Sequence, residues 1–343
     1  MLNKNKERTI TLLLLILLVM TTLFSIRFGA VNISVEEIGS SIQKYFSEIG
    51  VMSLNERIFL EIRLPRALLC IFVGASLAMG GTLMQALFRN PIVEPGLIGT
   101  SSGAAFGASL YFVLGALFKF NTGEWTLPLA ACAGAIVSTV LVFILSQSRE
   151  QGKSSIVAVL LTGIAINALF MSGVGFLSYI ARDPQARSIT FWGLGTLSGA
   201  NWHSVIIVGI STVLSGLVAF RFAKGLNALM IGEEEAQLLG TNIKRLKIYV
   251  LGVNVVMISV ATAFVGIISF VGLVVPHLLR MLHGSDNRHL LRHSALLGGI
   301  MLSMADLISR MLLRPAELPI GIITSVVGVP VFIFLLRRKY YFL

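Results

Sequence analysis

The sequence is poor in charge and in cysteine. Charged residues make up 13% of the 343 positions and hydrophobic residues 55%, whereas a typical soluble domain is about a quarter charged. The mean hydropathy is +0.87, which excludes an ordinary soluble protein and predicts a chain that crosses a membrane several times. The two cysteines, Cys70 and Cys132, lie in apolar segments without a CxxC spacing, so they predict neither a disulfide framework nor a metal site.

Ionisable side chains are scarce within the apolar runs. Asp306 and Arg310, one helical turn apart near the end of such a run, are the clearest exception. Two interpretations of this pair stay open: a salt-bridged helix end, or a surface arginine that meets a partner. Ion-coupled secondary transporters carry carboxylates near the middle of the membrane. The scarcity therefore disfavours that class and predicts that the energy for transport comes from elsewhere.

Two short motifs lack the context that nucleotide binding or catalysis requires. The run Gly152–Ser154 resembles the end of a phosphate-binding loop, but Gln147 stands where that loop needs its first glycine. The run Gly99–Gly103 has the spacing of a nucleophile elbow, yet it opens an apolar helix in which small residues favour close packing. A hydrolase acting through Ser101 is the enzymatic alternative. The preferred prediction is a chain that is not an enzyme.

Four of the five histidines fall close together, at His277, His283, His289 and His293. His289 and His293 are four residues apart and could share a metal ion on a helix, but Asp286 is the one carboxylate at a useful spacing. A basic cytoplasmic loop is the preferred interpretation. We therefore predict that this chain binds no metal ion and no cofactor.

Long apolar runs are what the sequence has in abundance. Because a membrane span needs about 20 apolar residues, the charge-free runs predict ten spans, at 9–26, 67–88, 95–118, 125–148, 154–181, 203–220, 248–268, 269–283, 293–313 and 318–336. The seventh and eighth require a turn near Gly266, followed by a short return helix. The segment from Phe191 to Trp202 is rich in Trp and Gly and predicts a short helix at the outer boundary of the membrane.

The basic residues give these spans an orientation. Both ends of the chain carry Lys and Arg, so the positive-inside rule places both termini in the cytoplasm, which requires an even number of spans. This orientation also explains the net charge of +11 without nucleic acid. The segment 28–66 then lies outside, and 221–247 forms a polar cytoplasmic loop. No stretch is long enough for a soluble domain, so 1–343 is predicted to be one transmembrane domain.

The loop 221–247 contains three consecutive glutamates, which begin at Glu233, and an apolar edge before Gly240. This order predicts a short amphipathic helix that ends at the glycine. Carboxylates also suit the start of any solvated helix, which is the simpler alternative. A short amphipathic helix that faces the cytoplasm is an element at which a soluble partner can dock.

Several stretches together resemble the FecCD-type permeases of bacterial ABC importers for ferric siderophores, haem and cobalamin. They follow the order of that family over about residues 60–335. The stretches are Arg63–Arg66, Val73–Ala78, Gln85–Pro91, Glu94–Gly99, Ser102–Ala104, Phe270–Arg280, Ala305–Asp306 with Arg310, Glu317–Gly321 and Gly328–Pro330.

The resemblance implies an all-α membrane protein of about ten transmembrane helices with the type II ABC importer permease fold, in the bacterial inner membrane. It implies three kinds of partner: a second permease chain, identical or homologous, two ATPase subunits that hold ATP and Mg²⁺, and an extracytoplasmic substrate-binding protein. A ferric siderophore is the expected cargo. Haem and cobalamin are the alternatives, because nothing in the sequence selects among the three.

The resemblance also assigns site residues. Arg63 and Arg310 match outer arginines that receive carboxylates of the binding protein. The cytoplasmic gate corresponds to the Asn90-Pro91 turn and to a second turn at Ser155 and Ile156. The ATPase-coupling element corresponds to 221–247, and its predicted contact residues are Glu233, Glu234, Glu235, Ala236, Leu239 and Gly240.

Overall fold

The computed structural model of the chain describes residues 4–29, 31–47, 52–118, 123–146 and 156–337. Over these residues the regular structure is helical, and no β-strand is present. The helices are α1 (Lys4–Arg27), α2 (Val35–Ser47), α3 (Leu54–Arg57), α4 (Leu64–Leu87), α5 (Thr100–Leu117), α6 (Thr126–Leu145), α7 (Ile156–Ile180), α8 (Gln185–Gly193), α9 (Trp202–Ile231), α10 (Glu233–Leu238), α11 (Ile243–Val265), α12 (Val271–His283), α13 (Asn287–Leu312) and α14 (Ile320–Arg337).

Ten of these helices correspond to the ten predicted spans: α1, α4, α5, α6, α7, α9, α11, α12, α13 and α14. By length and composition, seven of the described helices can cross a membrane, and α12 and α14 are shorter apolar helices. The predicted turn near Gly266 is confirmed, because α11 ends at Val265 and α12 begins at Val271. Gly266 has φ +75°, and a Cβ there would lie 2.1 Å from the Trp192 carbonyl oxygen, so the turn requires glycine.

α3 and α4 together form one continuous helix, which lies at the centre of the bundle. A π-helical turn, Ile58–Arg63, joins α3 to α4 without a break. Within the most apolar 18-residue stretch of this continuous helix, 83% of the residues are buried. The corresponding buried share is 17% for α1 and for α7. The exposed leucines and isoleucines of α1 and α7 are placed to contact lipid. In contrast, α4 packs against α9, α11, α12 and α13.

Glycines bring several of these helices into backbone contact. A Cβ on Gly74 of α4 would lie 2.2 Å from the Gly298 carbonyl oxygen of α13, and a Cβ on Gly81 would lie 1.7 Å from the Gly272 carbonyl oxygen of α12. Gly103 of α5 meets α6 in the same way, at 2.3 Å from the Gly134 carbonyl oxygen. Close crossings of this kind need residues without side chains. They support the packing interpretation of the Gly99–Gly103 run.

The predicted loop 221–247 is mostly helical. α9 has 30 residues and continues through Arg221 and Lys224 to Ile231, so its length is about 45 Å, more than the roughly 30 Å of hydrocarbon in a bilayer. α11 begins at Ile243. The segment outside these two long helices is therefore 232–242, and α10 occupies its first half.

The bundle has two distinct ends. The α2 end carries Arg63, the C-terminal end of α13, and the two short helices of the segment 28–66, α2 and α3. The α10 end carries α10, the Asn90-Pro91 turn and the start of α13. The predicted short helix near Phe191 is present as α8, which begins at Gln185 and ends at Gly193.

Candidate coupling and gate site

α10 is held on one side and exposed on the other. Ala236 is fully buried in the cluster that includes Leu226 and Leu229 of α9. In contrast, the side chains of Leu238 and Leu239 are 89% and 66% exposed. Two leucines exposed on a braced helix form an apolar contact surface for another molecule.

Backbone and side-chain bonds fix the position of α10. The Lys247 ammonium donates to the Glu233 carboxylate at 2.8 Å, which ties α10 to α11. The predicted glycine end is present: Gly240 has φ +79°, and the Thr241 N–H donates to the Ala236 carbonyl at 2.9 Å. Glu234 and Glu235, with Gln237, are exposed. The role of the predicted contact residues in coupling stays a prediction.

The first predicted gate turn, Asn90-Pro91, follows the C-terminal end of α4. The Asn90 N–H donates to the Gln85 carbonyl at 3.1 Å, and the Asn90 side chain accepts from the Ile92 N–H at 3.0 Å. Asn90 and Pro91 are half-buried and line a cavity of about 150 Å³. In the second predicted turn, Ile156 is the first residue of α7. Ser155 lies outside the described residues.

Beside this cavity lies an arginine that the sequence analysis named only as the last residue of the stretch Phe270–Arg280. Arg280 of α12 is 7% exposed. Its guanidinium donates to the Gln85 amide oxygen at 3.4 Å, to the Thr82 carbonyl at 3.3 Å and to the Asn287 amide oxygen at 3.3 Å. It also contacts the Met230 sulfur at 3.6 Å. One side chain therefore joins α4, α9, α12 and α13.

A second set of bonds extends this network to the last turns of α9. The Asn227 side-chain oxygen accepts from both the backbone and the side-chain N–H of Asn287, each at 2.8 Å. Its amide nitrogen donates to Asp286 at 2.7 Å. Hydrogen bonds from Arg288 and then from Asn227 hold the pKa of the Asp286 carboxyl well below its usual range. We call the set Thr82, Gln85, Asn227, Met230, Arg280, Asp286 and Asn287 the amide network.

The two arginines predicted to receive the binding protein lie together, but they are buried. Arg63 is 8% exposed and Arg310 is 4% exposed. Both donate to the same acceptor, the Phe28 carbonyl, each at 3.1 Å. Arg63 also donates to the Val31 carbonyl, and Arg310 to the Ser25 carbonyl and hydroxyl. Their predicted role in docking is not tested by this geometry and stays a prediction.

Asp306 binds two arginines in the interior of the α2 end. Its carboxylate accepts from Arg310 at 2.9 Å and from Arg66 at 2.9 Å. Arg66 also pairs with Glu317 at 2.9 Å. Of the two interpretations of Asp306 and Arg310, the structure supports the salt-bridged helix end. We call Arg66, Asp306, Arg310 and Glu317 the ionic network.

The histidines do not form the predicted loop. His277 is buried within α12, and the His293 ring lies 3.0 Å from the Thr11 hydroxyl of α1. His289 contacts the Glu7 and Asp286 carboxylates. Within the described ranges, no group of three or more His, Cys, Asp or Glu side chains is placed to hold a metal ion.

The motif stretches that are distant in sequence pack on one another. Phe270 has φ +69°, unusual for a non-glycine residue, and its N–H donates to the Glu94 carboxylate at 3.1 Å. A Cβ on Gly328 would lie 2.5 Å from the Phe270 Cβ. The stretches that begin at Glu94, at Phe270 and at Gly328 are therefore one packed unit.

The sequence model of the FecCD transport family matches residues 15–338. This chain belongs to the FecCD transport family. The predicted fold class is thereby confirmed: an all-α membrane protein of about ten transmembrane helices with the type II ABC importer permease fold. As a FecCD permease, the chain is a multi-pass bacterial membrane protein and a transport component of an ABC importer.

Named relatives extend this assignment. The hemin transport system permease protein HmuU of Yersinia pestis is 39% identical over 95% of this FecCD permease and 94% of its own length. The vitamin B12 import system permease protein BtuC of Yersinia enterocolitica is 36% identical over 86% of this chain and 84% of its own. A solved inward-facing structure, assigned to a metal-chelate type ABC transporter, superposes with a TM-score of 0.84 at 30% identity and covers 96% of this chain and 99% of its own.

Proposed function

We propose that this chain is the membrane permease of an ATP-driven importer for an iron chelate, with a ferric siderophore as the principal cargo. The family assignment supports an importer permease. The similarity to a transporter assigned to the metal-chelate type supports a cargo of that chemistry. In this proposal two permease chains, identical or homologous, stand side by side, and an extracytoplasmic binding protein delivers the chelate.

The exposed pair Leu238 and Leu239 is the observation that carries the coupling part of the proposal. Two ATPase subunits hold ATP and Mg²⁺ on the cytoplasmic side, where both termini of this chain lie. One ATPase subunit contacts α10 of each permease. When a soluble subunit covers α10, the apolar surface of these leucines is removed from water. This removal is favourable and stabilises the contact.

The amide network gives this contact a path to the gate. Displacement of α10 moves the last turns of α9, which carry Asn227 and Met230. These side chains contact Asn287 and Arg280, and Arg280 contacts Gln85 at the end of α4. The turn at Asn90 and Pro91 is joined to Gln85 by the hydrogen bond from the Asn90 N–H to the Gln85 carbonyl. Movement at α10 is thus transmitted through side-chain contacts to the cytoplasmic gate.

Substitution of the exposed pair tests the coupling. We expect Leu238→Ser with Leu239→Ser to abolish ATP-driven uptake into vesicles that contain the complete transporter, while the amount of folded permease stays unchanged. The matched control is Leu54→Ser, because Leu54 is 74% exposed at the other end of the bundle. Normal uptake by the double variant would remove α10 from the coupling role.

Docking of the binding protein at Arg63 and Arg310 is the corresponding proposal for the α2 end. Carboxylates of the binding protein replace the Phe28 carbonyl as the acceptor, and the charges speed and orient the encounter. We expect Arg63→Gln to lower the association rate of the loaded binding protein, and more so at low ionic strength. The control is Arg57→Gln, an exposed arginine of the same segment. An association rate unchanged by Arg63→Gln would exclude docking at this residue.

Haem is the second candidate cargo, because the 39% identical relative is a hemin permease. Uptake of iron measured with a panel of ferric siderophores and with haem, in vesicles with the partner subunits, distinguishes the two. Transport of cobalamin and of no iron complex would replace the iron-chelate assignment.

A further inference from the structure

The cavity of about 150 Å³ beside the Asn90-Pro91 turn is lined by basic and neutral side chains. Arg280 and His277 are buried in its wall, and Arg89 is exposed at its edge. The other lining residues are amide, hydroxyl, proline and methionine residues, and none is acidic. Such a cavity attracts an anion.

Within the part of the chain that the structure describes, Arg280 carries a buried charge without a negative partner. Every acceptor that it has among the described residues is neutral: two amide oxygens, one backbone carbonyl and one thioether sulfur. The acidic residue closest to it along the chain, Asp286, is engaged by Arg288 at 2.6 Å and by Asn227 at 2.7 Å. A buried charge is normally paired, because removal from water without a partner is strongly unfavourable.

The guanidinium also has hydrogen-bonding capacity left. Over the described ranges, the one hydrogen-bond partner of its Nη1 atom is the Met230 sulfur, at 3.6 Å, and a thioether is a weak acceptor. A single water needs only about 10–15 Å³ of cavity volume, so the cavity has room for several waters, or for one carboxylate or phosphate group.

We propose that this cavity is a binding site for one oxyanion group, a carboxylate or a phosphate, held by Arg280 with Arg89 at the entrance. The group comes from a soluble anion or from the headgroup of an anionic lipid. Because the cavity lies between the gate turn and the last turn of α9, a bound anion links the two. The anion site itself does not depend on the proposed cargo or on the coupling role of α10.

Binding of inorganic phosphate to the full chain tests the soluble source. The purified protein in neutral detergent is titrated at constant ionic strength, and we expect one phosphate bound per chain. Arg280→Gln retains hydrogen-bonding groups but removes the charge, and it should weaken binding at least about ten-fold. Arg89→Gln should weaken binding less. Arg292→Gln, an exposed arginine that loses the same charge, should leave phosphate binding unchanged.

Native mass spectrometry tests the lipid source. The protein is incorporated in nanodiscs of phosphatidylglycerol and phosphatidylcholine and then released. Retention of one phosphatidylglycerol by the wild type and by Arg292→Gln, with loss in Arg280→Gln, assigns the site to lipid. The proposal is overturned if the wild type binds neither phosphate nor phosphatidylglycerol. It is also overturned if Arg280→Gln binds as well as the wild type does each probe that the wild type binds.

Met230→Glu provides a test that does not remove Arg280. The new carboxylate lies beside Nη1 and takes the place of the external anion. We expect this variant to bind neither probe and to unfold at a temperature at least as high as that of the anion-free wild type. Probe binding that persists in Met230→Glu would contradict the site.

Discussion

The two ends of the bundle bury arginine in different ways. At the α2 end, Arg66 and Arg310 share the carboxylate of Asp306, with bonds of 2.9 Å on each side. At the α10 end, Arg280 is as deeply buried, but its acceptors are amides, a carbonyl and a sulfur.

The difference separates a fixed end from an adjustable one. Separating ionic partners in the interior requires a large free energy, because each is left as an unpaired buried charge. Neutral amides exchange partners at much lower free-energy cost. The ionic network therefore fixes α4 against α13, whereas the amide network can be rearranged beside the Asn90-Pro91 turn.

The largest effect is expected from neutralising the shared carboxylate. Asp306→Asn leaves Arg66 and Arg310 buried with reduced compensation, and we expect the free energy of unfolding to fall by about 3–5 kcal/mol. The measurement is the midpoint of unfolding of the purified permease in detergent. The control is Glu317→Gln, because the Glu317 side chain is 42% exposed, so its loss should cost at most about 1 kcal/mol. Equal effects of the two variants would break the comparison.

An intermediate effect is expected at the α10 end. Asn227→Leu removes the acceptor of two Asn287 N–H groups and one donor to Asp286. Unpaired buried amides cost about 1–3 kcal/mol, so the loss of stability should be smaller than for Asp306→Asn. Asn32→Leu, at an exposed amide of the α2 end, should change the unfolding midpoint little. A loss that matches Asp306→Asn would show that both ends are equally rigid.

The smallest effect on stability is expected from the exposed ion pair that braces α10. Lys247→Met removes the ion pair with Glu233. The Lys247 side chain is 22% exposed and the Glu233 side chain 36% exposed, and pairs of this kind contribute at most about 1 kcal/mol to the free energy of unfolding. Because α10 is then held less firmly to α11, uptake per ATP hydrolysed should fall although the unfolding midpoint is nearly unchanged. A normal ratio of uptake to hydrolysis would limit the brace to a structural role.

The positions of most of the ten spans could be predicted from the sequence, because the thickness of the hydrocarbon sets the length of each apolar run. The end of α9 could not be predicted in the same way. Arg221 ends the charge-free run, but charge does not end a helix, and α9 continues to Ile231. The charge pattern marks where a helix leaves lipid, whereas Gly232 marks where it stops.

The amide network was beyond sequence reasoning for a different reason. Arg280 lies 195 residues from Gln85 along the chain, and a pattern of local spacing contains no information about such a pair. Its position in a mostly apolar return helix was the available signal. Similarly, the burial of Arg63 depends on the Phe28 carbonyl, 35 residues away, and the predicted topology assigns that arginine to one side of the membrane without indicating its burial.

The paired glycines have a consequence for how this gene can change. Gly74 with Gly298, and Gly81 with Gly272, meet through their backbones. Every base substitution that alters the meaning of a glycine codon either adds a side-chain carbon or ends the protein. Neither member of a pair can shrink to compensate for growth of the other, because both already have the smallest side chain. A side chain at any of these four positions would therefore push α4 away from α12 or α13, so the close packing of the three helices requires all four glycines although their codons are far apart in the gene.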